Sequence, residues 1–152
     1  MATRPQIKMS KGKAGTVIFY PPASHGKPTS PTITITAPGG GAVPDTAVTD
    51  QAMTVTNVST TLNADPAQGA TTVSVAANTN IVTGQSFVIN SNGQRERVEV
   101  VAISGTTITL ASQLRVNHVN GATFKGHRLS YALSAAQNGT ADRNYNVSFK
   151  WV

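Results

Sequence analysis

The chain contains no cysteine, which removes disulfide scaffolds, thiolate nucleophiles and Cys-ligated zinc. Charged residues make up 12% of its 152 residues, about half the ordinary ~25%, so long charged surface helices form little of it. Nowhere do 18 apolar residues run together, so no segment is expected to span a bilayer as a helix. No apolar run follows the basic residues of the first 15 positions, so they do not read as a secretory leader. The N-x-S/T sequons at Asn57, Asn138 and Asn146 then read as chance features of a Thr/Ser/Asn-rich chain. Leucine is scarce, with 5 residues, whereas Thr, Val and Ile number 21, 16 and 8. Branching at Cβ suits a pleated, half-buried surface, so this ratio points to strands and away from a helical bundle.

All eight prolines lie within residues 5–66. The first 44 residues hold five Lys/Arg and no acid, and residues 45–66 hold Asp45, Asp50 and Asp65 and no base. These shifts divide the chain into an extended basic arm (1–15), a Pro-rich extended or β segment packing on the core (16–66) and an antiparallel β-domain (67–152).

Turn signals and period-two runs place the strands. Thr16–Tyr20 is a short β-rich run before two prolines, and Thr32–Thr36 alternates Thr with Ile. Met53–Val58, Thr71–Ala76, Ser86–Ile89, Arg95–Ile103 and Thr106–Leu110 follow. Asn92-Gly93 between two of these reads as a hairpin turn, because both positions tolerate positive φ. Ala122–Phe124 and Arg128–Leu133 read as two strands. Tyr145, Val147, Phe149 and Trp151 are apolar at every second position, a core-facing terminal strand. Asn138-Gly139 is expected to fold that strand back against Arg128–Leu133. The fold class is all-β, a small antiparallel sandwich or barrel with an extended Pro-rich N-terminal arm.

Chemistry is sparse. The histidines are His25, His118 and His127, and only six carboxylates are present. No H-x-H, H-E-x-x-H or D-x-D spacing occurs, so no metal site is expected. His118 reads as a loop histidine that orders its turn by bonding backbone carbonyls. A catalytic role would need an acidic partner, and none lies near it in sequence. Glu96 and Glu99 differ by three and so face opposite sides of a strand, while Arg95 and Arg97 share the side of Glu99. Gln94–Glu99 reads as a solvated strand edge or polar contact surface, its charges discouraging edge pairing. No G-x-S-x-G elbow, Walker loop or G-x-G-x-x-G is present. The expectation is a protein that is not an enzyme and takes no cofactor.

The arm, with Arg4, Lys8, Lys11 and Lys13, has three readings: phosphate contact, a solvated tail, or an element lying across a neighbouring subunit. The last is preferred, because the stacking aromatics of single-strand binders are missing near it. Arg4, Lys8, Lys11, Lys13, Arg95 and Arg97 are the candidate subunit or DNA contacts.

The stretch from Gly69-Ala-Thr-Thr-Val-Ser-Val through Ile81-Val-Thr-Gly-Gln85, Gln94–Val101, Ile103-Ser-Gly-Thr-Thr-Ile-Thr-Leu110 and Leu114–His118, to Gly126-His-Arg-Leu-Ser-Tyr-Ala-Leu133, carries a resemblance. Over residues 69–135 it resembles small β-rich virion proteins of tailed bacteriophages, most of all neck or head–tail connector components. Similar strand–turn units occur in phage fibres and decoration proteins. The resemblance implies a structural virion subunit, made in the host bacterial cytoplasm, that forms a ring at the head–tail junction. Its implied partners are copies of itself, other neck, portal or tail proteins, and nonspecific contact with packaged DNA, with no membrane. A capsid decoration or fibre protein is the alternative. A carbohydrate-binding β-module is a remoter one, disfavoured by one Trp and three Tyr in the whole chain.

Overall fold

The computed structural model describes residues 6–9, 15–21, 27–36, 48–134 and 143–150. Their regular structure is entirely β: β1 (Gln6–Met9), β2 (Gly15–Phe19), β3 (Thr32–Thr36), β4 (Val48–Ala52), β5 (Thr54–Thr61), β6 (Thr72–Ser74), β7 (Ser86–Ser91), β8 (Gln94–Ser104), β9 (Thr107–Leu110), β10 (Thr123–Leu133) and β11 (Arg143–Lys150). The pairings are antiparallel, as the turn-rich sequence predicts. The chain forms two compact units. Unit 1 gathers Met1–Phe19, Pro28–Val55 and Leu129–Val152, and unit 2 gathers Tyr20–Lys27 and Thr56–Arg128.

Unit 2 is a sheet in the order β10-β7-β8-β9-β6, with β5 also paired to β10. The β7–β8 hairpin closes where predicted. Asn92 and Gly93 take φ of 50° and 90°, Ser91 pairs with Gln94, and the Gly93 N–H donates to Asn90 Oδ1 at 3.2 Å. Alternation then sorts the side chains. Phe87 and Ile89 of β7 and Val98 and Val100 of β8 point to the core, with Val73, Val75, Ile108, Leu114 and Phe124. Phe87 and Phe124 stack with centroids 4.3 Å apart, and each fully buried ring contributes roughly 1.5–3 kcal/mol. Gly126 sits opposite Phe87, and a Cβ there would meet the Ser86 carbonyl oxygen at 2.7 Å and the Phe87 ring at 2.9 Å. Only glycine lets that ring lie across the neighbouring strand.

In unit 1 a sheet of order β1-β11-β3-β4 shares one core with β2 and the paired half of β10, a sandwich-like arrangement. Val17, Ile33, Ile35, Val48, Leu129, Leu133 and Val147 fill it, and Phe19 stacks on Phe149 at 4.2 Å.

Several expectations need correction. Ala122–Phe124 and Arg128–Leu133 are one continuous strand, β10. Its first part, Thr123–Gly126, pairs with β7 and its last, Leu129–Leu133, pairs with β2. The terminal strand β11 does not fold back on Arg128–Leu133. It lies between β1 and β3, with Val147 opposite Ile35 and Phe149 opposite Ile33. Matching apolar faces were present in both places, and β2 already occupies the β10 edge. Val147 is buried and Phe149 only half-buried, while Trp151 and Asn138-Gly139 lie outside the described residues. β1 and β4 escape sequence reading, because Gln-Ile-Lys-Met alternates over only four residues inside the basic stretch and Val-Thr-Asp-Gln-Ala does not alternate. Val-Thr-Asp-Gln-Ala forms β4 around a bulge at Asp50 (φ 46°), whose N–H donates to Thr34 Oγ1 at 3.0 Å.

Candidate functional site

β8 pairs with β7 along Gln94–Glu99 and with β9 only from Val100 to Ser104, so Gln94–Val98 keeps one edge outside the ladder, as its charges predict, but this strand is not uniformly solvated. Its two faces differ sharply. Glu96 shares the parity of Val98 and Val100 and is buried, whereas Arg95, Arg97 and Glu99 are exposed. Ser91 likewise follows Phe87 and Ile89 inward on β7. The core side of the hairpin end therefore carries a serine and a carboxylate.

His118 closes on both of them. Its Nδ1 lies 2.9 Å from Ser91 Oγ and its Nε2 lies 3.2 Å from Glu96 Oε2. A carboxylate only accepts, so in the neutral ring Nε2 donates to Glu96 and Nδ1 accepts the Ser91 hydroxyl. The other carboxylate oxygen, Glu96 Oε1, accepts the Arg115 backbone N–H at 2.7 Å, and the Val119 N–H donates to Ser91 Oγ at 3.3 Å. The His118 N–H donates to the Pro66 carbonyl, the Asn120 N–H to Asp65 Oδ1 at 2.5 Å, and the Gln68 N–H to Asn117 Oδ1 at 2.7 Å. The loop of residues 114–121 is thus fastened to residues 62–70 and to the β7–β8 hairpin.

This corrects the reading of His118. Its ring binds side chains, not backbone carbonyls, and its acidic partner stands 22 residues away in sequence. Parity was the missed signal, since Glu96 and Ser91 fall in register with the apolar residues of their strands. The trio has the hydrogen-bond order of a nucleophilic triad. However, Ser91, His118 and Glu96 are all buried, and the backbone N–H nearest Ser91 is already bonded to its oxygen. With these bonds the trio fastens the loop of residues 114–121 to the β7–β8 hairpin as a clamp. Buried polar groups fully paired in this way hold one loop geometry against others.

The opposite face of the sheet is polar and basic. Register carries Arg97 to Val88 and Val88 to Lys125, so the three share one face across β8, β7 and β10. Arg95 stands one pleat repeat from Arg97. Arg97 is held by a bond from its Nε to Ser86 Oγ at 3.0 Å. Beside this face an open groove of about 560 Å³ is lined by Arg95, Arg97, Glu99, Gln113 and Arg115 among others. The sole ion pair among the described residues is His118–Glu96, so Arg95, Arg97, Arg115 and Lys125 form none there, although Glu96 and Glu99 line the same groove.

Lys8 lies in β1, opposite Asn144 of β11 in unit 1. Arg4, Lys11, Lys13 and His25 fall outside the described residues. His127 Nδ1 lies 3.1 Å from Asn57 Oδ1. Burial, and after it the charge of Lys27, hold its pKa below the ordinary histidine value. Among the described residues no group of three or more His, Asp or Glu could hold a metal ion, and no helix is long and apolar enough to cross a membrane.

No protein-family model and no curated protein matches the chain. Among solved structures, it is similar to the tailspike of the Acinetobacter baumannii bacteriophage AP22, solved in complex with A. baumannii capsular saccharide. The identity is 21% and the TM-score 0.39, over 54% of this chain and 15% of that one.

Proposed function

We propose that the protein is a non-enzymatic structural component of a tailed-bacteriophage virion that assembles with copies of itself as a ring at the head–tail junction. The observation that carries this reading is the fit between the resemblance and the fold. The stretch 69–135, which resembles phage virion proteins, falls mostly within one compact core, unit 2. The arrangement there that most resembles catalytic machinery, Ser91–His118–Glu96, is spent on fastening a loop. A subunit of this kind works by shape, with rigid β-modules set side by side and paired to portal, neck or tail proteins.

Sedimentation velocity and negative-stain imaging of the purified chain test the proposal. The expected outcome is a homo-oligomeric ring with an open lumen. Isolated trimers or knobs would turn the assignment to a decoration or fibre protein. A monomer that binds neutral oligosaccharides on a glycan array would replace it with a carbohydrate-binding module.

A further inference from the structure

We propose that the outer face of β10-β7-β8 in unit 2 binds the phosphate backbone of double-stranded DNA without regard to sequence, through Arg95, Arg97, Arg115 and Lys125. This rests on the virion reading and deepens it, by assigning a contact with packaged DNA to one face of unit 2; its test does not depend on ring formation. The first argument is the spacing of the cations. Arg95 and Arg97, two residues apart on one strand, are separated by about 7 Å, and Arg97 and Lys125, two strands apart, by about 9–10 Å. Three cations thus spread over one flat face, with Arg115 beside them at the groove. Glu99 is the single carboxylate on the exposed side of β8, and it forms no ion pair among the described residues.

The second argument is that one cation, Arg97, is held by its side chain and another, Arg115, by its backbone. The bond from Arg97 Nε to Ser86 Oγ orients its guanidinium and leaves the terminal nitrogens for an oxyanion. A guanidinium aimed in this way matches phosphate oxygens in a planar, two-pronged contact. The backbone of Arg115 is fixed by Glu96, which is in turn fixed by His118. The buried clamp therefore positions a cation at the rim of the groove.

The third argument concerns what else lies on the face. Its neutral residues are Val88, Asn90 and Thr123, with Gln113 at the groove. Among the described residues of this face no aromatic ring offers a platform for stacking bases or for the apolar face of a sugar. Among the described residues no helix occurs that could enter a groove and read base edges. Phosphate contact without base readout is what remains, and it positions a protein on DNA without specifying a sequence.

Fluorescence anisotropy with two labelled duplexes of unrelated sequence, titrated with the full chain from about 50 to 200 mM salt, tests this. The parent should bind both duplexes equally. The Arg95→Gln/Arg97→Gln/Lys125→Gln variant should lose at least about tenfold in affinity at the lower salt. Its log–log salt slope should be shallower by about 2–3, since each lost phosphate contact removes roughly 0.9. Parallel measurements use an Arg4→Gln/Lys8→Gln/Lys11→Gln/Lys13→Gln variant and alginate, an acidic polysaccharide. The proposal is overturned if the triple variant binds like the parent, or if only the arm variant loses binding. Binding of alginate without DNA also overturns it. Should circular dichroism show the triple variant unfolded, Lys125→Gln alone decides, with an expected slope change of about 1 and no change as the contrary result.

Discussion

Unit 2 draws its β-core from one continuous stretch, Thr56–Arg128, while unit 1 is stitched from three stretches that include both ends of the chain. In unit 2 a two-residue turn joins β7 to β8, and another short turn, through Gly105 (φ 58°), joins β8 to β9. In unit 1 the β1–β11 ladder sets Gln6 against Asn146. Closing a longer loop costs only about 0.6 kcal/mol per doubling of its length. Pairing that spans most of the chain forms late, however, because the closure precedes the contacts that compensate it. The cores differ in the same direction. Unit 2 stacks two fully buried rings, Phe87 and Phe124, and unit 1 stacks two that are only partly buried, Phe19 and Phe149. Unit 2 is accordingly expected to be the more stable part.

The largest expected effect tests that ranking directly. Phe87→Ala should cost about 3–5 kcal/mol, as a fully buried ring does. Phe149→Ala should cost roughly 1–1.5 kcal/mol, about half the value for complete burial, because its ring is only half-covered. Urea midpoints of the two variants, read by intrinsic fluorescence and amide exchange, would reverse the ranking of the units if Phe149→Ala were the more damaging. A strand alternating up to the end of the chain suggested a fully buried Phe149, and its half-exposure lowers that figure.

The second effect comes from the clamp. His118→Ala leaves Ser91 and Glu96 buried without their partner, at roughly 1–3 kcal/mol for each group. It should therefore match or exceed Phe149→Ala, whereas a plain loop histidine would matter less. In a Glu96→Ala/His118→Ala cycle the two costs should be non-additive, since each single variant already breaks the shared contact. Simple additivity of the urea-derived values would show that the clamp contributes nothing as a unit.

The smallest effect is a pH dependence local to unit 2. The folded-state pKa of His127 lies below its ordinary value of 6.5, chiefly through burial. Between the folded and unfolded values the unfolded chain binds more protons, so stability rises with pH across that window. Acidification through 6.5 should lower the urea midpoint of the parent, and His127→Gln should flatten that slope. An unchanged slope in the variant would assign the dependence to another group.

How far the molecule was legible varies by element. β3, β7, β8 and β9 and the Asn92-Gly93 turn follow from period-two alternation and from residues that accept positive φ, both of which act over a few neighbours. The same alternation already placed Arg95, Arg97 and Glu99 on one side and Glu96 on the other. It did not say which side was buried, and charge suggested that both were wet. Burial of Glu96 became intelligible only when the fold brought His118 and Ser91 to it, because an isolated carboxylate in a core is too costly without hydrogen-bond partners. β1 has too short a pattern and β4 none, and each is completed as a strand by pairing, β1 with β11 and β4 with β3.

By itself, then, the sequence determined the fold class, the β7–β8 hairpin and which residues of an alternating strand share a side, since β-branching, turn chemistry and the two-residue pleat are local properties. Which strand lies beside which, the seat of β11 between β1 and β3, the continuity of β10, and the meeting of Ser91, Glu96 and His118 were decided only in the tertiary structure. Several apolar faces on this chain are equally able to pair with one another. Local preference cannot rank them, and the choice falls to the packing of the assembled cores and to the pairing of buried polar groups such as Ser91, Glu96 and His118.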